Sequence, residues 1–171
     1  MALSTYAELK TSITKWLDKS DTTTTDYVPD MITLAEAYFN RELRVDDMNF
    51  ATASLTVTDG VATIPTGTRS ILSVRETSSD HAQIKPKPID EIERYEDLST
   101  GFYQYYARFG GELHFWPRKS GTVRLRGRKS LEALSDSNTS NWLLEKHSDA
   151  YLYQALASGE AFNTNDERMP M

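Results

Sequence analysis

The residues of this chain whose types could do chemistry are three histidines, a dense run of carboxylates, a glycine pair and a strand of alternating arginines. His81, His114 and His147 stand 33 residues apart each time. None has a second histidine at metal-ligand spacing and the chain has no cysteine, so the histidines carry no zinc-site motif, and thiolate zinc and thiol nucleophiles are excluded. His147, two residues before Asp149, resembles the base and orienting acid of a triad. No nucleophile motif accompanies it, and the pair reads as a polar step before a helix. Asp90, Glu91, Glu93, Glu96 and Asp97 could supply a glycosidase acid/base pair only with one carboxyl in an apolar pocket and its partner at a defined distance. A charge run on a short helix is instead a solvated face. Gly110-Gly111 has neither the following Lys-Ser/Thr nor the strand-to-helix setting of a phosphate loop, and marks a turn. No catalytic, cofactor-binding or metal-binding position is assigned.

The arginines are more informative. Arg124, Arg126 and Arg128 alternate with Val123 and Leu125, which puts three cations on one face of a strand and the apolar residues on the other. That face is either a charged edge that blocks unwanted strand pairing or a docking surface for an acidic partner or DNA phosphate. The chain is acidic, with 19 Lys/Arg against 25 Asp/Glu and a net charge of −6, and three arginines alone bind DNA weakly, so a protein partner is the favoured reading. Like charge would let a duplex slide past without being held. Aromatic content is 11%, with nine Tyr, six Phe and three Trp, residues that serve either a core or an interface. Candidate contact residues are Trp116, Arg124, Arg126, Arg128, Trp142, Tyr151, Tyr153 and Arg168.

The elements that position these residues follow from periodicity. Thr5 with Glu8 forms a capping-box pattern before a helix from about Thr5 to Lys19, with Leu9, Ile13, Trp16 and Leu17 as its apolar stripe. Residues 21–26 break it. Pro29 opens a second helix to about Arg44 or Val45. Ile32, Ala35, Phe39 and Leu43 form its inner face, widened by Met31, Leu34 and Tyr38. Thr33, Glu36, Asn40, Arg41 and Arg44 form its polar strip. From Phe50 the period becomes two, with a hairpin turn at Asp59-Gly60, a return to Ile64 and a further strand from Ser70 to Thr77. Gln83 to Lys87 is an edge strand or none, and Pro88 starts a short helix to Tyr95. Phe102–Phe109, Glu112–Pro117 and Thr122–Lys129 read as a three-stranded antiparallel meander. A Trp142-Leu143-Leu144 anchor then precedes a helix from Ser148 to about Phe162, with Ser148 and Asp149 placed to cap it. The predicted fold is α+β: N- and C-terminal helices packed as a helical layer (1–48 and 136–171), with an antiparallel β region inserted (49–135). The start lacks a secretory pattern and no run of about 18 apolar residues could span a bilayer.

Three segments together resemble the head–tail adaptor proteins of tailed, especially short-tailed, bacteriophages. They are Thr5-Tyr6-Ala7-Glu8-Leu9-Lys10 through Trp16-Leu17, Pro29-Asp30-Met31-Ile32-Thr33-Leu34-Ala35-Glu36-Ala37 ending in Asn40-Arg41-Glu42-Leu43-Arg44, and a late block. That block holds residues 111–117, Asn141-Trp142-Leu143-Leu144, residues 149–156 and Asn165-Asp166-Glu167-Arg168. The resemblance implies a structural virion protein without cofactor, assembled in the host cytoplasm and located in the neck. It would form a homo-oligomeric ring, usually of twelve copies, below the portal protein. The ring would extend the channel through which double-stranded DNA passes unbound, and would offer a platform to the tail nozzle or tube. Relatives continue past the Asp-Glu-Arg segment into a helix that grips the portal, whereas this sequence stops at Pro170-Met171. The competing readings are a phage cell-wall hydrolase, which a cell-wall assay would reveal, and a monomeric protein-binding module.

Overall fold

The computed structural model describes residues 3–18, 22–78, 83–95 and 99–160. The fold is α+β and divides into two compact units, one formed by residues 1–47 with 131–171 and the other by 48–130.

The first unit is helical. α1 (Tyr6–Trp16) begins at a complete capping box: Thr5 Oγ1 accepts from the Glu8 N–H, and the Glu8 carboxylate accepts from the Thr5 N–H. Leu9 and Ile13 are fully buried, but Trp16, expected on the same stripe, is 62% exposed. α2 (Thr22–Glu42) starts seven residues before the predicted Pro29, which lies inside it. Proline there removes one backbone hydrogen bond and crowds the preceding turn. Burial of Val28, Met31, Ile32 and Ala35 offsets that cost, so tertiary packing overrides the breaking tendency of the threonine run. α4 (Trp142–Lys146) and α5 (Ser148–Glu160) close the unit. Ser148 and Asp149 occupy the first turn of α5 and do not cap it from outside. The identified cap is Asn141, whose Oδ1 accepts from the Leu144 N–H at the start of α4.

The predicted polar strip of α2 is also corrected. Glu36 is buried and Asn40 half-buried, because both accept backbone N–H groups from the segment that returns to this unit: Leu134 to Glu36 and Leu131 to Asn40, each at 2.8 Å. Leu131 and Leu134 sit in the helical core beside Phe39, Leu144 and Tyr151.

The second unit contains two sheets sharing one core. β1 (Asn49–Val57) and β3 (Thr68–Glu76) flank β7 (Gly121–Lys129), each antiparallel to it. The other sheet runs β2 (Val61–Thr63), β6 (Glu112–Trp116), β5 (Tyr105–Phe109) and β4 (Lys85–Pro86), the last parallel to β5. α3 (Ile89–Ile92) is shorter than predicted. Val57, Val74, Val123 and Leu125 from one sheet meet Leu113, Phe115 and Tyr106 from the other.

Asp59-Gly60 does make the two-residue turn, with both φ angles positive and Thr58 and Val61 exchanging both backbone bonds. The strands then part into different sheets. Likewise β5 and β6 form the Gly110-Gly111 hairpin, but β7 does not complete a meander. Pro117 cannot donate to a continuing ladder, and the nine-residue β7 finds nine-residue partners in β1 and β3 where β6 offers five. The crossing is held by Gly60 N–H to Lys119 O at 3.0 Å and Phe115 N–H to Gly60 O at 2.7 Å. Buried Glu76 ties it down, accepting from the Lys119 ammonium at 2.6 Å and the Tyr103 N–H at 3.1 Å. Burial first, then the Glu76 charge, pushes the Tyr103 hydroxyl up to about 12.

Candidate functional site

β7 is the central strand of its sheet, so the arginines do not protect an edge. Val123, Leu125 and Gly127 face the core, and Arg124 and Arg126 are exposed on the other side. Gly127 is required where it stands: a Cβ would lie 2.5 Å from the Ser70 carbonyl oxygen and 2.9 Å from the Phe50 ring. Register fills in the outer face. Arg124 lies opposite Arg75 of β3, Arg126 between Ala51 and Ser73, and Arg128 between Asn49 and Ser70. The outward arginines of β7 are therefore about 7 Å apart, two strand residues each, and their cross-strand neighbours are another arginine or small uncharged residues. Like charges placed directly opposite are destabilising. Among the described residues no carboxylate pairs with Arg75, Arg124 or Arg126, and Arg128 Nε is buried without a hydrogen-bond partner. The outer face of this sheet is therefore basic, and its exposed arginines have no carboxylate partner among the described residues.

The helical unit carries a pocket of about 280 Å³, which opens between the C-terminal end of α2 and helices α4 and α5. Phe39, Leu43, Val45, Trp142, Leu143 and Ala150 give it an apolar wall, and Asp47, His147 and Asp149 are its polar lining. Asp47 is paired with Lys146 at 2.7 Å. Asp149 is exposed and, among the described residues, has no ion-pair partner. The volume lies just below the roughly 300–1,000 Å³ of sites that hold small molecules, and matches a single inserted side chain better. The pocket lies at the C-terminal end of α2 and at the N-terminal end of α5, so the two helix dipoles oppose each other there.

Charge is segregated along the same division. By sequence, the helical unit has seven Lys/Arg against sixteen Asp/Glu, a net −9, while the sheet unit has twelve against nine, a net +3. The chain's net acidity belongs to residues 1–47 and 131–171.

The remaining predicted residues separate into several settings. Trp142 is half-buried, its ring shared between core and pocket. Tyr151 is fully buried and serves the core: its hydroxyl donates to Glu36 at 3.2 Å, accepts from Asn141 at 2.8 Å, and its ring meets Phe39 edge-on at 5.2 Å. Burial, ahead of the Glu36 charge, pushes its hydroxyl well above the ordinary tyrosine value. Burial also raises Glu36, against the lowering pull of the Leu134 N–H and the Tyr151 hydroxyl. Tyr153 is 58% exposed and forms an edge-to-face pair with Trp16 at 6.1 Å. Tyr27, Leu34 and Tyr38 are further exposed apolar groups on one face of α2. Trp116 is half-buried in a cluster with Tyr95 and Tyr105, and Lys87 lies over Tyr105 at 4.5 Å while paired with Glu91. That cluster is already occupied by its own cation. Arg168, His81, Glu96 and Asp97 lie outside the described residues.

No constellation for catalysis is brought together by the described residues. His114 Nε2 is buried without a hydrogen-bond partner, 3.7 Å from the Glu112 carboxylate. His147 ends α4 on the surface. Asp90, Glu91 and Glu93 are solvated. Among the described residues no group of three or more His, Asp or Glu could hold a metal ion, and no helix is long and apolar enough to cross a membrane. Sequence reasoning missed Glu36, Asn40, Asn141 and Arg75. The first two looked like solvent-facing polar residues, and Arg75 acquires meaning only through its register opposite Arg124.

A family model described as SU10 adaptor protein matches residues 4–170. No curated protein matches the chain.

Proposed function

Because the chain belongs to the SU10 adaptor protein family, we propose that it is a head–tail adaptor that forms a ring below the portal, extends the DNA channel and presents a platform to the tail nozzle or tube. The observation that carries this reading is the match over residues 4–170, which takes in both compact units and not one of them alone. The surfaces are consistent with a part that assembles. Exposed aromatic residues on α1, α2 and α5, an acidic-rimmed pocket and an unpaired arginine face are contact features, and none requires a reacting group. An acidic helical unit facing a channel would repel the duplex and let it slide. Residues of both kinds of surface, Trp142 and Arg126 among them, then act by burying area and pairing charge with neighbouring proteins.

The reading is tested in the phage that encodes the chain. Interrupting its gene should yield DNA-filled heads without tails, and supplying the protein should restore tailed particles in which it is a neck component. Tailed, infectious particles that lack the protein would overturn the proposal. Cell-wall hydrolysis by the purified protein would favour the enzyme instead.

A further inference from the structure

We infer that the arginine face of β7 in one copy docks on the acidic-rimmed Trp142 pocket of a second copy, with Arg126 as the inserted side chain. The inference rests on the adaptor reading and gives its ring a specific contact. Three observations lead to it. The outer face of the sheet holds Arg75, Arg124, Arg126 and Arg128 with no carboxylate paired to the exposed three among the described residues. The pocket combines an apolar wall containing an indole with Asp149, which is exposed and has no ion-pair partner among the described residues. The two surfaces lie on units of opposite net charge, +3 and −9.

Arg126 is selected by its neighbours. Ala51 and Ser73 stand opposite it on either side, so its guanidinium rises above the sheet surface. Arg124 faces Arg75, and Arg128 is half-buried. An arginine stem can pack against Phe39 and Leu43 while its planar head stacks on Trp142 and donates to Asp149. Arg75 and Arg124 would remain outside the pocket, facing the acidic surface around it, where they raise the encounter rate and fix orientation. A basic surface on one unit meeting an acidic pocket on the other is a heterologous contact, the kind that closes into rings.

The absence of cysteine allows a direct test. Ser73→Cys, beside Arg126, and His147→Cys, at the pocket, are made in separate chains, mixed at high concentration in low salt and treated with a short bis-maleimide. Covalent trapping detects a contact too weak to hold a ring free in solution. The mixed 73–147 dimer should dominate over either self-dimer. Adding Arg126→Glu to the Ser73→Cys chain should cut its yield about tenfold or more. Adding Asp149→Arg to the His147→Cys chain should then restore it. Arg126, His147 and Asp149 are exposed and Ser73 is half-buried, and matched thermal melts confirm that each variant is folded. A mixed yield no greater than the self-dimers, indifference to Arg126→Glu, or no restoration by the charge swap would overturn the inference. So would a double-stranded DNA oligonucleotide that binds the wild type and not Arg126→Glu while no 73–147 dimer forms, since the face would then be a nucleic-acid surface. None of these results bears on whether the protein is in the virion neck, so the contact can fail while the adaptor reading stands.

Discussion

Asn141→Ala should cost the helical unit about 3 kcal/mol, because one side chain there makes three hydrogen bonds in a buried position. Its Oδ1 accepts from the Leu144 N–H at 3.0 Å and caps α4. Loss of such a cap costs about 1 kcal/mol. Its Nδ2 donates to the Glu132 carbonyl at 2.7 Å and to the Tyr151 hydroxyl at 2.8 Å. Each of these is worth about 1 kcal/mol, with the Tyr151 hydroxyl still able to donate to Glu36. The total is a large share of the 5–15 kcal/mol of a typical domain. Asn141→Ser keeps an acceptor for the cap but loses both donations, and should recover about 1 kcal/mol of the loss. Urea unfolding followed by far-UV circular dichroism measures both variants, and a double-mutant cycle with Tyr151→Phe isolates the shared bond. An alanine cost below about 1 kcal/mol, or a serine variant no better than alanine, would refute the reasoning.

Three other outcomes follow from the same packing. Trp142→Ala should destabilise by about 2 kcal/mol in thermal melts, less than the roughly 3–5 kcal/mol of a fully buried ring, because half of it faces the pocket. Gly127→Ala should cost about 1–3 kcal/mol or more by the same measurement, since the nearest clash is a backbone carbonyl that cannot turn aside. Glu36 binds its proton more tightly folded than unfolded, its value being held above the ordinary 4.5 by burial. Its contribution is therefore fully present below the unfolded value and is lost as pH rises through the folded one. Glu36→Gln keeps an acceptor oxygen but has no charge to bury, so wild-type stability should fall relative to the variant as pH rises above the ordinary carboxylate value of 4.5 in urea titrations.

Local signals in the sequence were decisive where local chemistry decides the outcome. The Thr5–Glu8 capping box, the Asp59-Gly60 turn, the Gly110-Gly111 hairpin and the in–out alternation of β7 each depend on residues within a few positions of one another. The errors came from long-range partners. Pro29 sits inside α2 because buried Val28 and Met31 hold the turn around it. β7 leaves its predicted neighbour β6 because longer strands receive it, β1 with partners 64 to 79 residues back in the chain and β3 with partners 47 to 61 back, separations that periodicity does not encode. Glu36 and Asn40 looked solvated until the 131–134 segment supplied their donors. The proposed contact surface was half visible. Three arginines on one strand face were legible, but Arg75 needed the register, and the pocket needed α2, α4 and α5 together.

The central claim, an adaptor that assembles on the portal, is tested most directly by the mass of the purified protein alone and after mixing with portal rings, measured by native mass spectrometry. The account predicts a monomer alone and a complex carrying about one copy per portal subunit, as expected for a closed symmetric assembly. A stable free ring would contradict the dependence on a template while leaving the adaptor role in place. A protein that stays monomeric and shows no binding to the portal would contradict the claim itself.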